Sequence, residues 1–149
     1  MPKKGFYWHL HHEVLLEWCH DYDERARYTR TNKPESEKIL RFKLFKPVKG
    51  QLPKELIRAG QAYEKAWQAF YKTLQTYCKT NKTYNKMRLQ ACAKAYYKTQ
   101  QDHHKAMRTF FNQAKQAYKN ALINNAEFIE KLHSLECPNC PWDGETIFP

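Results

Sequence analysis

Between Gly60 and Pro138 the chain contains neither glycine nor proline. Glycine weakens a helix through backbone entropy, and proline through its missing N–H and its ring. A run this long without either points to long helix. Within it a seven-residue unit recurs. Lys65, Lys72, Lys79 and Lys86 stand seven apart, and so do Tyr63, Phe70, Tyr77 and Tyr84. With Tyr63 at heptad position a, Ala66, Thr73, Thr80 and Met87 fall at d. The lysines fall at c, off the seam. The register slips across 87 to 97, after which Lys98 and Lys105 resume the spacing. One helix cannot bury such a seam against itself. It folds back as a hairpin, bending at 80 to 85 or 87 to 97, or it pairs with another chain as a homo-oligomer. The hairpin is preferred, because it returns the C-terminal tail to the N-terminal head.

The head reads differently. Leu10, Val14, Leu15, Trp18 and Tyr22 recur at helical spacing and predict a helix over 9–30. Pro34 ends it. LRFKLF at 40–45 alternates apolar and basic residues and predicts a half-buried strand. Its partners would be GFYWH at 5–9 and ETIF at 145–148. Pro53 suits a first helical turn, with Glu55 favourable near that N-terminus. The expected fold is mainly α: a long heptad-repeat helical arm, hairpin or coiled coil, on a small α+β head with a Cys-knuckle metal site. The divisions are 1–50 for the head, 51–134 for the arm and 135–149 for the knuckle and tail.

The charge is uneven. The net formal charge is +11, and residues 51–124 hold 14 Lys/Arg against Glu55, Glu64 and Asp102. The rest of the chain is balanced. Ordinary coiled-coil surfaces alternate Glu with Lys. Helix pairing here gathers positive charge without compensation, and a polyanionic partner would relieve that. The expectation is nucleic acid or another polyanion, bound without sequence specificity. Lys65, Lys72, Lys79, Lys86, Lys98 and Lys105 would meet phosphate, with aromatics nearby to stack on bases. The blander reading makes the lysines a solubilising face and the arm a spacer or oligomerisation element of a scaffold.

CPNC at 137–140 is a C-x₂-C knuckle. Two thiolates at this spacing can grip one tetrahedral Zn²⁺. His133 lies four residues earlier. The fourth ligand would come from His9, His11, His12, Cys19 or His20, and the favoured set is His133, Cys137, Cys140 and His12. An inert turn with two thiols is the competing reading, and a redox dithiol the weakest. Two E-x-x-H steps, Glu17–His20 and Glu130–His133, echo the spacing of carboxylate-bridged di-metal bundles. The further glutamates, Glu13 and Glu127, would lie on the same helices as the motifs, which departs from that plan. A solvated acidic face explains them more simply.

There is no G-x-S-x-G, Walker loop, G-x-G-x-x-G or H-E-x-x-H, so a non-enzymatic protein is expected. No run of 18 apolar residues occurs, so no membrane span is expected. The N-terminus lacks the apolar core of a signal peptide, and the expected location is the cytoplasm.

Overall fold

The computed structural model describes residues 2–80 and 103–148. The chain is mainly helical with one small antiparallel sheet. Strand β1 is Gly5–Trp8, β2 is Leu16–Cys19 and β3 is Lys46–Pro47, in the order β2-β1-β3. Helix α1 is Tyr22–Asn32, α2 is Glu35–Leu44, α3 is Lys54–Thr80, α4 is His103–Asn124 and α5 is Ala126–Glu136.

β1 is where the sequence predicted a strand, and both its edges are used. Phe6 stands opposite Trp18 and Trp8 opposite Leu16, while Trp8 also meets Lys46 of β3. Both its faces are buried. Phe6 and Trp8 join the larger core with Leu16, Leu52, Leu56, Tyr118, Ala121, Ile129 and Cys137. Tyr7 points the other way, to Leu10, Cys19, Phe45 and Tyr22. A strand buried on both faces reads as a continuous apolar run, as GFYW does.

Two expectations for the head are corrected. Of the helix expected over 9–30 only the second part forms: a turn and strand β2 at Leu16–Cys19 come first, and the helix begins at Tyr22. Asp21 is its N-cap and accepts from Glu24 N–H at 3.0 Å. Asp21-x-x-Glu24 is the spacing of a capping box, and it fixes the start. The end falls before Pro34, as predicted. The strand over 40–45 is helix α2. Glu35 and Glu37 lie in its first turn, Arg41 and Lys43 in its last, complementing the helix dipole. Glu37 also pairs with Arg41 one turn on, at 2.7 Å. The sheet edge expected of 40–45 is taken by Lys46–Pro47. ETIF forms no strand, but Ile147 is fully buried and its N–H donates to His12 C=O at 3.1 Å.

α3 starts at Lys54, after Pro53, as expected. α4 lies antiparallel to it. Tyr63 stacks on Tyr118 at 5.1 Å and Phe70 on Phe111 at 5.1 Å. These two a-position aromatics therefore pack on a helix of the same chain. A heptad arm continuous to 134 is not what the described helices form, since Asn125 separates α4 from α5. The later repeats and the register slip lie outside the described residues, and both candidate bends lie at or beyond their edge.

α3 approaches the sheet at Gly60, where a Cβ would lie 2.6 Å from Trp18 Cε3 and 2.7 Å from Phe6 Cζ. Helix propensity alone would make Gly60→Ala stabilising by about 1 kcal/mol. Overpacking of two aromatic rings reverses the sign. Gly60→Ala is expected to lower stability by about 2 kcal/mol, measured by urea denaturation, with secondary structure retained.

Candidate metal centre

The knuckle is built by its own sequence. Cys137 caps α5, donating its N–H to His133 C=O at 2.7 Å. Cys140 N–H then donates to Cys137 C=O at 3.1 Å, closing a β-turn over Pro138 and Asn139. Asn139 has φ of 65°, and Pro followed by Asn with positive φ suits a type II turn. The turn carries Cys140 to the end of β1, where the chain reverses at His9 with φ of 50°.

There three donors meet. His9 Nε2 lies 2.9 Å from His133 Nε2 and 3.3 Å from Cys140 Sγ. All three ligand atoms fall within 4.8 Å of one another and could hold a metal ion. A tetrahedral ion with Zn–N of ~2.1 Å and Zn–S of ~2.3 Å sets its donors apart by about 3.4 Å for N and N, and about 3.6 Å for N and S. The observed spacings are shorter than those edges by about 0.5 Å and about 0.3 Å, so the donors would move slightly apart around an ion. Imidazole and thiolate donors are the set that suits such an ion.

Electrostatics favours the ligand form of both rings. Burial lowers the His9 pKa to about 4, helped by His133 and by the positive charge of Lys46. Burial also lowers His133, with Lys46 acting the same way. Both rings are therefore neutral at neutral pH, as coordination requires. Burial raises the Cys140 thiol, so at neutral pH its ionisation calls for a cation. His9 Nδ1 is buried without a hydrogen-bond partner. A buried polar atom of this kind calls for a partner.

The other sequence candidates are placed as follows. His12 is not in the group. It faces Glu13 at 3.3 Å, and its ring lies against Phe148. His9, from the same His-rich stretch, stands in its place. Cys137 is buried, its thiol feels the positive charge of Lys46, and it is not one of the three. Lys65 and Lys72 lie exposed on α3. Lys79 and Lys105 belong to α3 and α4, while Lys86 and Lys98 lie outside the described residues. The E-x-x-H steps do not converge: Glu17 is on β2 and contacts His11 at 2.6 Å, whereas His20 pairs with Glu64. A cleft of about 500 Å³ opens beside the donors, lined by His133, Cys137, Cys140, Glu130 and Asp143 among others.

Sequence reading missed Glu136. Its carboxylate accepts from Trp8 Nε1 at 2.9 Å, from Lys49 N–H at 3.0 Å and from Gly50 N–H. It thereby ties α5 to β1 and to the segment that leads into α3. Nothing in its spacing marks it, since its partners lie 86 to 128 residues away. Burial opposes its ionisation, but these hydrogen bonds outweigh burial and hold its pKa below the ordinary value.

No protein-family model, no curated protein and no solved structure matches this chain. Among the described residues, no helix is long and apolar enough to cross a membrane.

A Glu136→Gln change puts an amide NH₂ where donors already converge. It is expected to cost about 2 kcal/mol, read by thermal or urea denaturation. The wild-type contribution also has a pH signature. A carboxylate with a depressed folded pKa stabilises above its unfolded value, near 4.5, and loses this as pH falls through the folded value. Glu136→Gln should therefore lose less stability than wild type between pH 5 and 3, assayed by denaturation across that range.

Proposed function

We propose that the protein binds nucleic acid without sequence specificity through the outer surfaces of α3 and α4, on a head whose two chain ends are joined by Zn²⁺. The observation that carries the first part is the fate of Glu64. α4 has no acidic residue, and α3 has only Glu55 and Glu64. Glu64 is 8% exposed and turns into the head. It accepts from Lys4 at 3.0 Å, Trp18 Nε1 at 3.0 Å and Gln68 at 2.6 Å, and it pairs with His20. The acid that could have offset the neighbouring lysines is used internally. Arg58, Lys65, Lys115 and Lys119 remain exposed on the helix pair. Phosphate is the counter-charge that suits such a surface. Lys72, Lys79, Lys86, Lys98 and Lys105 extend the same basic run in sequence.

Zn²⁺ is the ion suggested by two imidazoles and a thiol whose ligand atoms lie within 4.8 Å of one another. Held by His9, His133 and Cys140, it would supply folding free energy by linking β1 to the segment after α5. His9 and His133 are separated by 124 residues, so the link closes a very long loop. The rival reading of the arm as an oligomerisation element gains nothing from the α3 seam at Tyr63 and Phe70, because α4 covers it in the same chain.

Fluorescence anisotropy with labelled DNA and RNA, across a salt series, tests the nucleic-acid reading. Binding is expected at about 50 mM salt, weakening steeply as salt rises. Charge reversal at Lys65, Lys115 and Lys119 should reduce the slope of log K against log salt by about one for each phosphate no longer neutralised. Absence of binding at low salt, or a slope indifferent to the substitutions, sinks it.

A further inference from the structure

Three protein donors leave one corner of a tetrahedron. We infer that Cys137 fills it, turning about its Cα–Cβ bond as metal binds, so that the centre is a closed His₂Cys₂ site and not an open one that activates water. This rests on the zinc reading above and names what completes it.

Geometry is the first argument. Cys137 and Cys140 are the first and last residues of one β-turn, closed at 3.1 Å between Cys140 N–H and Cys137 C=O. The ends of such a turn lie within about 7 Å, and thiolates at C-x₂-C spacing reach one ion. Cys137 lines the same cleft as His133 and Cys140, and it is only 4% exposed. A side-chain rotation changes its neighbour without moving the backbone that α5 fixes.

Charge is the second argument, and it is independent of the turn. Zn²⁺ with two neutral imidazoles and one thiolate carries a net positive charge. His9 and His133 are 2% and 7% exposed, so that charge would sit in a poorly solvated place. The Lys46 ammonium is already nearby, donating to Glu136 C=O at 2.9 Å and acting electrostatically on the Cys137 thiol. Two positive charges at close range in the interior are costly. A second thiolate makes the centre neutral and gives Lys46 an anionic neighbour.

The competing donors are engaged elsewhere or exposed to solvent. His12 faces Glu13 and Phe148. Asp143 uses Oδ1 to accept from Glu145 N–H at 2.8 Å and Thr146 N–H at 2.7 Å, and it is exposed. Glu130 is exposed on the rim. A water in the fourth position would leave the excess positive charge in place.

Zinc-edge X-ray absorption on the wild-type protein loaded with one equivalent of Zn²⁺ counts the sulfur ligands without any substitution. Two sulfur and two nitrogen neighbours are expected. One sulfur overturns the assignment of Cys137 and leaves the zinc reading standing. Failure to take up Zn²⁺ at all overturns the zinc reading itself. Cobalt substitution gives the second readout. Cys137→Ser, shown to fold by circular dichroism, should keep tetrahedral Co²⁺ bands but lose about half the sulfur-to-metal charge-transfer absorbance, while binding Zn²⁺ at least tenfold more weakly. His12→Gln should change neither. Full charge-transfer intensity in Cys137→Ser overturns the inference.

Discussion

β1 is four residues long, and both buried clusters of the described structure are built on it. Its two edges hold β2 and β3, so its backbone groups are paired on both sides. Its two faces divide the interior. Phe6 and Trp8 set the core that receives α3, α4 and α5, while Tyr7 sets the one that receives α1 and the end of α2. A strand so enclosed has one register. A shift by one residue would exchange Phe6 and Trp8 for Tyr7 and put each group against the wrong partners. The reversal at His9 then depends on that register, because His9 is the residue that follows Trp8.

Two carboxylates, Glu64 buried and Glu136 half-buried, carry this placement outward. Glu64 binds α3 to Trp18 and His20 at the far end of β2. Glu136 binds α5 to Trp8 and to the backbone at Lys49 and Gly50. In each case burial works against the charge, and hydrogen bonds outweigh it. Both act as anchors between a helix and the sheet. Neither is available to balance the lysines outside, so the surface charge of the helix pair follows partly from the way the head is fastened.

The parts legible in the sequence were those decided by local rules. The start of α3 followed from Pro53 and the stop of α1 from Pro34, whereas GFYWH was expected as a strand only to partner 40–45, which is helix, and it pairs instead with β2 and β3. The misreadings came from short windows in which two periods fit. Leu10, Val14, Leu15 and Trp18 match a helix by spacing, yet the strand through Leu16 and Cys19 is selected by pairing with β1. LRFKLF alternates, but its Leu40 and Leu44 are also one helical turn apart. The acids at Glu35 and Glu37, just after Pro34, were the signal for helix. For the site, His133 and the knuckle were visible as spacing. The choice of His9 over His12 was not, because it rests on the reversal at φ of 50° that no composition or period encodes. Glu136 was invisible for the same reason: its partners are set by tertiary structure.

The group of His9, His133 and Cys140 and the basic helices are linked through α5. His133 and Glu136 are three residues apart on its last turn, so they project to neighbouring parts of one face. One reaches His9, and the other holds the backbone leading into α3. Whatever fixes His133 also limits how α5 can move relative to Lys49 and Gly50. A Cβ at Gly50 would meet Leu132 at 2.5 Å, so this segment lies directly against α5 with no room for slack. The position of His133 is therefore coupled to the root of α3 over a few residues. An ion held by His9, His133 and Cys140 would act on more than the tail, because it would also restrain α5 against the segment from which the helix pair leaves the sheet.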